Sequence, residues 1–131
     1  MKLKINIKDI RVGNYIKDRG NKILKINKII FSPIQNTYII EQNNTINNQE
    51  VHPLTEYLNN LKPIKLNDIW FKRLGFEKTN IEYVKGNFKW KLYNGKVLFT
   101  YGMCGYFETE IMYVHQLQNF YYILTGQELS I

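Results

Sequence analysis

The sequence is poor in the residues that most often carry covalent or metal chemistry. Its 131 residues include one cysteine, Cys104, and two histidines, His52 and His115. A lone cysteine cannot form an internal disulfide or supply the thiolates of a cysteine zinc site. Glycine-rich phosphate loops and HExxH motifs are also missing from the sequence. We therefore predict that the protein is not an enzyme, with no catalytic, cofactor-binding or metal-binding residues and no cofactor.

Two chemical alternatives remain at the level of single residues. Cys104 with a histidine would make a nucleophile, but no third residue at a recognisable spacing would orient that pair. Glu108 and Glu110 are two apart and could hold a divalent cation weakly, although carboxylates at a hairpin end are usually solvated.

Long apolar runs are missing as well. No run approaches the ~20 residues of a membrane-spanning helix, and the first residues, MKLK, do not lead into the apolar core of a signal peptide. With 44% hydrophobic and 15% aromatic residues, the chain can still bury a core. We expect a soluble cytoplasmic protein without membrane contact, folded as a single domain over residues 1–131.

The positive charge is concentrated at the beginning of the chain. Of the net charge of +7, residues 1–28 supply nine lysines and arginines against Asp9 and Asp18, and nine minus two is +7. The remaining 103 residues are neutral overall. Such a localised basic segment is typical of a surface that contacts nucleic acid or an acidic protein. The alternative is a solvated lysine-rich face.

The first half of the sequence favours β-structure. Predicted strands cover residues 14–17, 22–31, 37–41 and, more weakly, 46–51. The first two flank the turn sequence Asp18-Arg19-Gly20-Asn21, and Gln42-Asn43-Asn44 is predicted to join the last two. Residues 1–52 are therefore expected to form a basic, β-rich lobe with a small antiparallel sheet of SH3-like type.

A helical connector is predicted over residues 53–78. Leu54, Leu58 and Leu61 have the spacing of a short helix that Pro63 ends. A second helix is expected to begin after Asn67, a good N-cap, and to end at Gly75. Its predicted buried residues are Leu66, Ile69, Trp70 and Leu74.

Residues 79–131 are predicted to form a three-stranded β-meander and a C-terminal helix. Asn94-Gly95 is a strong hairpin signal. It pairs residues of one apolar face: Leu92 with Val97, Trp90 with Phe99, and Phe88 with Tyr101. The preceding turn is Gly86-Asn87 or, alternatively, Lys85-Gly86, and it brings Ile81 and Tyr83 onto the same face. The aromatics left for the surface are Tyr93, Tyr106 and Tyr57.

The C-terminal helix is expected to cover the apolar face of the meander. Its stripe consists of Val114, Leu117, Tyr121 and Leu124, and Gly126 lies where a left-handed C-cap belongs. Phe120, Tyr122 and Ile123 widen the stripe, so the helix is predicted to be buried on several sides.

Two of these segments carry a resemblance. PIKLNDIWFKRLGFEK at residues 63–78 and YVHQLQNFYYILTGQEL at residues 113–129 resemble segments of small phage and prophage proteins of unassigned activity, and IRVGNYI does so more loosely. The resemblance implies a non-enzymatic phage accessory protein in the cytoplasm of a bacterial host cell. Phages commonly use small non-enzymatic proteins of this size to bind and modulate a host protein or ribonucleoprotein, and inhibitors of RNA-guided (CRISPR) nucleases are one class of them.

The basic segment is the predicted partner-binding surface. Lys17, Arg19, Lys22 and Lys28 are the expected contact residues, and Lys25 is the expected internal control because alternate strand positions point to opposite faces. The alternative function is direct binding of RNA or DNA by the same residues.

Overall fold

The computed structural model describes residues 5–46, 49–102 and 105–131. Its contacts divide the chain into two compact units, Met1–Ile64 and Lys65–Ile131. The division between the units falls within the predicted connector. The described residues form antiparallel sheets in both units and two α-helices in the second, which confirms the α+β class.

The first unit contains five strands among its described residues. They are β1 (Tyr15–Lys17), β2 (Ile23–Lys25), β3 (Lys28–Ser32), β4 (Thr37–Ile46) and β5 (Gln49–Tyr57). β1 pairs with β2, and β3, β4 and β5 form a second antiparallel sheet in that order. The buried core draws on both sheets, with Ile16 and Leu24 from the first and Ile40 from the second.

The predicted strand over residues 22–31 is interrupted in the structure. The N–H of Ile26 donates to the carbonyl of Asn14 (2.9 Å), whereas the N–H of Asn27 donates to the carbonyl of Glu41 (2.9 Å). Between these two residues the backbone therefore stops pairing with the β1 segment and begins to pair with β4. Strands that change sheets in this way form the corners of curled β-structures.

The joining loop predicted at 42–44 and the helix predicted over Leu54 to Leu61 are wrong, whereas the weak strand predicted at 46–51 is found in part, at the end of β4 and the beginning of β5. β4 continues through Gln42-Asn43-Asn44, with a register shift between Gln42 and Asn44 that marks a bulge. β5 then occupies the place of the predicted helix, of which a single 3₁₀ turn, Leu58–Asn60, is found. Pro53 lies in β5 opposite the bulge, and an edge strand tolerates a missing N–H at such an irregularity.

The second unit contains one larger sheet and both helices. Its elements are α1 (Asp68–Arg73), β6 (Glu77–Thr79), β7 (Glu82–Lys85), β8 (Phe88–Tyr93), β9 (Lys96–Tyr101), β10 (Phe107–Thr109) and α2 (Val114–Thr125). The strands are antiparallel in the order β10–β9–β8–β7–β6. The predicted three-stranded meander is thus extended by a short strand at each edge.

The central hairpin of this sheet has the predicted register. Leu92 pairs with Val97, Trp90 with Phe99, and Phe88 with Tyr101. Asn94 and Gly95 have φ values of 51° and 74°, the left-handed conformation that a tight turn of this type requires. Lys85 pairs with Phe88, so the preceding turn is Gly86-Asn87. Ile81 does not join the apolar face, because it lies in the turn before β7 and is exposed.

An aromatic row crosses four strands of the sheet. Tyr83, Trp90, Phe99 and Phe107 are successive cross-strand partners. Phe71 of α1 stacks on Tyr83, with ring centroids 3.9 Å apart and an angle of 10° between the planes. Both helices therefore pack against the sheet, since Phe120 of α2 meets Phe99 edge-on at 4.5 Å.

The two helices differ in detail from the sequence predictions. The side chain of Asn67 caps α1 by accepting the N–H of Trp70 (2.9 Å), as predicted, but Ile69 is exposed and Phe71 is buried in its place. In α2, Val114, Leu117 and Tyr121 are buried, whereas Tyr122 and Ile123 are exposed. α2 is therefore buried on one side and not on several. Gly126 ends it with a φ of 72°.

Candidate partner-binding surface

The β1–β2 hairpin of the first unit presents a compact basic turn. The carboxylate of Asp18 accepts the N–H of Lys22 (2.9 Å), and the N–H of Asp18 donates to the carbonyl of Lys22 (3.0 Å). Asn21 adopts a left-handed φ of 63°, which asparagine tolerates better than most residues. These contacts fix the turn that carries the exposed Arg19 and Lys22.

Arg19 is anchored to a distant part of the same unit. Its Nη2 donates to Oδ1 of Asn60 at 2.6 Å, across 41 residues of sequence. Asn60 belongs to the 3₁₀ turn that follows β5. The guanidinium group is therefore held by a neutral amide acceptor.

A further basic residue, Lys62, lies beside the hairpin although it belongs to another part of the chain. Lys17 and Lys62 form an isolated antiparallel bridge, with N–O distances of 2.9 Å and 2.8 Å. Lys62 could not be assigned to this surface from the sequence, because its place beside β1 depends on a backbone pairing between residues far apart in the chain. The backbone thus places Lys62 next to a hairpin that carries Lys17, Arg19 and Lys22 together with the carboxylate of Asp18. Four minus one gives this group, here called the basic hairpin surface, a formal charge of +3.

Lys28 and Lys25 lie differently from the predictions. Lys28 begins β3, in the other sheet, and its direct cross-strand partner is Glu41. Lys25 is the cross-strand partner of Tyr15, and Lys17 that of Ile23, so Lys17 and Lys25 share one face of the hairpin. Lys25 Nζ also lies 5.7 Å from the centre of the Tyr15 ring. The alternation argument for Lys25 as an internal control is therefore wrong, because residues 22–28 do not form one strand.

The residues considered for catalysis do not form a site in the described part of the chain. His115 is buried in α2, and Cys104 and the side chain of His52 lie outside what the structure describes. Among the residues that the structure describes, no three His, Cys, Asp or Glu side chains come together as metal ligands would. Glu108 instead lies 4.0 Å from Lys96, as an exposed ion pair.

A polar cluster lies on the sheet of the second unit. The hydroxyl of Tyr106 donates a hydrogen bond to the carboxylate of Glu82, and Lys91 Nζ lies 3.9 Å from the centre of the Tyr106 ring. The hydrogen bond to Glu82 raises the pKa of the Tyr106 hydroxyl, with smaller contributions from burial and from the charge of Glu82. Tyr57, Tyr93 and Tyr106 are exposed, as the sequence predicts.

Comparison with protein-family models, curated proteins and solved structures finds no match to this chain. None of the helices in the described residues is long and apolar enough to cross a membrane.

Proposed function

We propose that this chain is a non-enzymatic phage or prophage accessory protein that binds a host protein or ribonucleoprotein through the basic hairpin surface. The observation that carries the proposal is the placement of Lys62 beside a hairpin that carries Lys17, Arg19 and Lys22, with Asp18 as the acidic residue of the same turn. Phage origin and a bacterial host rest on the sequence resemblance at residues 63–78 and 113–129. An RNA-guided (CRISPR) nuclease is one target of the proposed class.

The hydrogen bonds that hold the hairpin in place support a binding role. Association costs free energy when flexible side chains and loops must be ordered, and a surface that is already held in place avoids part of that cost. Here the carboxylate of Asp18 holds the turn, Asn60 holds the arginine, and Lys62 is fixed to Lys17 by two backbone hydrogen bonds. The charge of such a surface favours carboxylate or phosphate groups on the partner.

Lys28, which the sequence predicts as a contact residue, remains part of the proposed interface but lies apart from the basic hairpin surface. It is exposed at the start of β3, next to the corner where the chain changes sheets. We also propose that the two sheets of the first unit form the SH3-like arrangement expected from the sequence. The shared core of Ile16, Leu24 and Ile40 and the change of sheets at Ile26-Asn27 support this description.

The alternative function is direct binding of RNA or DNA by the same residues. It is favoured by the positive charge of the hairpin, which would suit phosphates as well as carboxylates. The two functions differ in salt dependence, because the affinity for nucleic acid falls steeply with salt as counterions are released.

Capture from bacterial lysate separates the two functions. The immobilised protein is incubated with lysate before and after treatment with RNase and DNase, and the purified protein is tested for a gel shift of RNA or DNA at physiological salt. A host protein that is retained after nuclease treatment, without a gel shift by the protein alone, supports the proposed function. A gel shift by the protein alone, with the loss of all captured material after nuclease, would favour the alternative.

A further inference from the structure

A cleft in the second unit lies at one end of the aromatic row. It has a volume of about 340 Å³, within the usual range for small-ligand sites. Its walls are mainly apolar and come from Leu66, Phe71, Ile81, Tyr83, Trp90 and Leu92. Ile81 and Leu92 are 53% and 52% exposed, so the apolar surface continues to the rim of the cleft.

Trp90 lines this cleft and carries a buried, unused hydrogen-bond donor. Its side chain lines the cleft and the residue is 6% exposed, and its indole Nε1 has no hydrogen-bond partner among the described residues. Buried indole N–H groups usually have an acceptor. This Nε1 atom is shielded from solvent, so a ligand acceptor would satisfy the donor only if the residues around the indole edge moved slightly aside.

The polar residues that line the cleft suit a flat polar ring. The side chains of Asn67 and Asn80 carry amide groups of the kind that pair with the edges of nucleobases. Oδ1 of Asn67 already accepts the N–H of Trp70, so its NH₂ group is the donor that it would offer a ligand. The aromatic and aliphatic walls would bury the ring itself.

Lys78 gives the cleft a positive charge. No carboxylate is among the described residues that line the cleft. Lys78 Nζ lies 3.4 Å from Asp68 Oδ2, but both side chains are more than half exposed, and such surface ion pairs exchange readily for other partners. An anionic group at the mouth of the cleft would therefore find a lysine within reach.

We propose that this cleft binds a nucleotide, with the base between the apolar walls and the phosphate at Lys78. A nucleotide combines the three properties that the cleft selects. Its base has a flat apolar face and hydrogen-bond acceptors along its edge, and its sugar carries a phosphate. The site lies wholly in the second unit and does not rest on the basic hairpin surface.

Nuclear magnetic resonance of the two tryptophan indole groups tests this proposal in the full chain. The probes are adenosine 5′-monophosphate (AMP), uridine 5′-monophosphate (UMP), adenosine and ribose 5-phosphate, and Trp70→Phe assigns the two indole signals. We expect AMP or UMP to shift the Trp90 indole signal saturably while Trp70, on α1, stays in place. Adenosine should bind more weakly, and ribose 5-phosphate should cause no shift.

Two variants and one matched control locate the site. Leu92→Glu should abolish the shift by placing a negative charge at the rim, whereas Ile123→Glu, at an exposed aliphatic residue of α2, should not. Lys78→Met should weaken AMP binding roughly tenfold, as expected for the loss of one charge-assisted hydrogen bond, and should leave adenosine binding unchanged.

Three results would overturn the proposal. The first is that neither AMP nor UMP shifts the Trp90 indole signal of the folded protein. The second is an equal shift with ribose 5-phosphate, which would mean that the base is not recognised. The third is unchanged AMP binding by a folded Leu92→Glu variant. Charge reversal at Lys17, Arg19 and Lys22 should leave AMP binding intact, so failure of the proposed partner-binding function would be seen separately.

Discussion

Lys17 and Lys62 exchange both of their backbone hydrogen bonds, at 2.9 Å and 2.8 Å, although 45 residues separate them (62 minus 17). Two like charges are thereby held on neighbouring backbone segments. Like charges directly opposite each other in a sheet destabilise it. The bridge thus adds the charge of Lys62 to the surface for which a role in binding is proposed.

Trp90→Ala should strongly destabilise the second unit. Trp90 is buried against Phe71 of α1, with ring centroids 4.8 Å apart, and beside Tyr83, so its removal leaves a large cavity. We expect a loss of about 3–5 kcal/mol in the free energy of unfolding, measured by denaturant titration. Tyr93→Ala on the same strand is the control, because Tyr93 is exposed, and its change should stay within about 0.5 kcal/mol. A loss below about 1 kcal/mol for Trp90→Ala would contradict its place in the core.

Gly95→Ala should destabilise the central hairpin through its backbone. Gly95 has a φ of 74°, and no neighbouring atom lies within 4 Å of where an added methyl group would be. The loss of stability would therefore come from the strained backbone conformation and not from steric crowding. We expect a loss of about 1 kcal/mol in thermal or chemical unfolding. Gly105→Ala is the matched control, since Gly105 also has open space around it but no positive φ in the strained range. Equal effects of the two changes would count against the left-handed turn.

Glu82→Gln should lower the pKa of the Tyr106 hydroxyl toward its ordinary value. The carboxylate of Glu82 accepts the hydroxyl hydrogen bond and favours the protonated tyrosine. Because the folded-state pKa is raised, the contribution to stability is present below the unfolded tyrosine pKa of about 10 and is lost as the pH rises through the folded pKa. Ultraviolet titration of tyrosinate, compared with Tyr106→Phe to identify the signal, measures the shift. An unchanged titration curve in Glu82→Gln would show that the hydrogen bond does not control this group.

Local sequence signals succeeded where the backbone conformation is decided by a few neighbouring residues. Asn94-Gly95 predicts its hairpin and register because only certain residues adopt two consecutive left-handed conformations. Asn67 predicts the start of α1 because its side chain satisfies a helix N–H group within three residues.

Long-range pairing explains what the sequence could not predict. The leucine spacing at Leu54, Leu58 and Leu61 fits a helix, but pairing with β4 draws the segment into β5. The same limit applies to the candidate site. The neighbouring turn residues predict that one hairpin carries Lys17, Arg19 and Lys22. Lys62 joins them only through the bridge to Lys17, and Lys28 lies in β3, in the other sheet.

Charge reversal on the basic hairpin is the most direct test of the proposed partner binding. The variant Lys17→Glu, Arg19→Glu and Lys22→Glu is compared with the control Lys65→Glu, Lys72→Glu and Lys96→Glu, which changes three exposed lysines of the second unit by the same total charge. Lys28→Glu is measured separately, because Lys28 lies in the other sheet.

The measurement is the affinity for the host component captured from lysate, determined at low and at physiological salt. We predict that the hairpin variant folds normally, loses at least about tenfold in affinity, and shows a weaker salt dependence than the wild type, because each lost ionic contact removes part of the electrostatic attraction. The control variant should bind like the wild type. Equal affinities of the hairpin variant and the wild type at low salt would contradict the account and return these residues to an ordinary solvated surface.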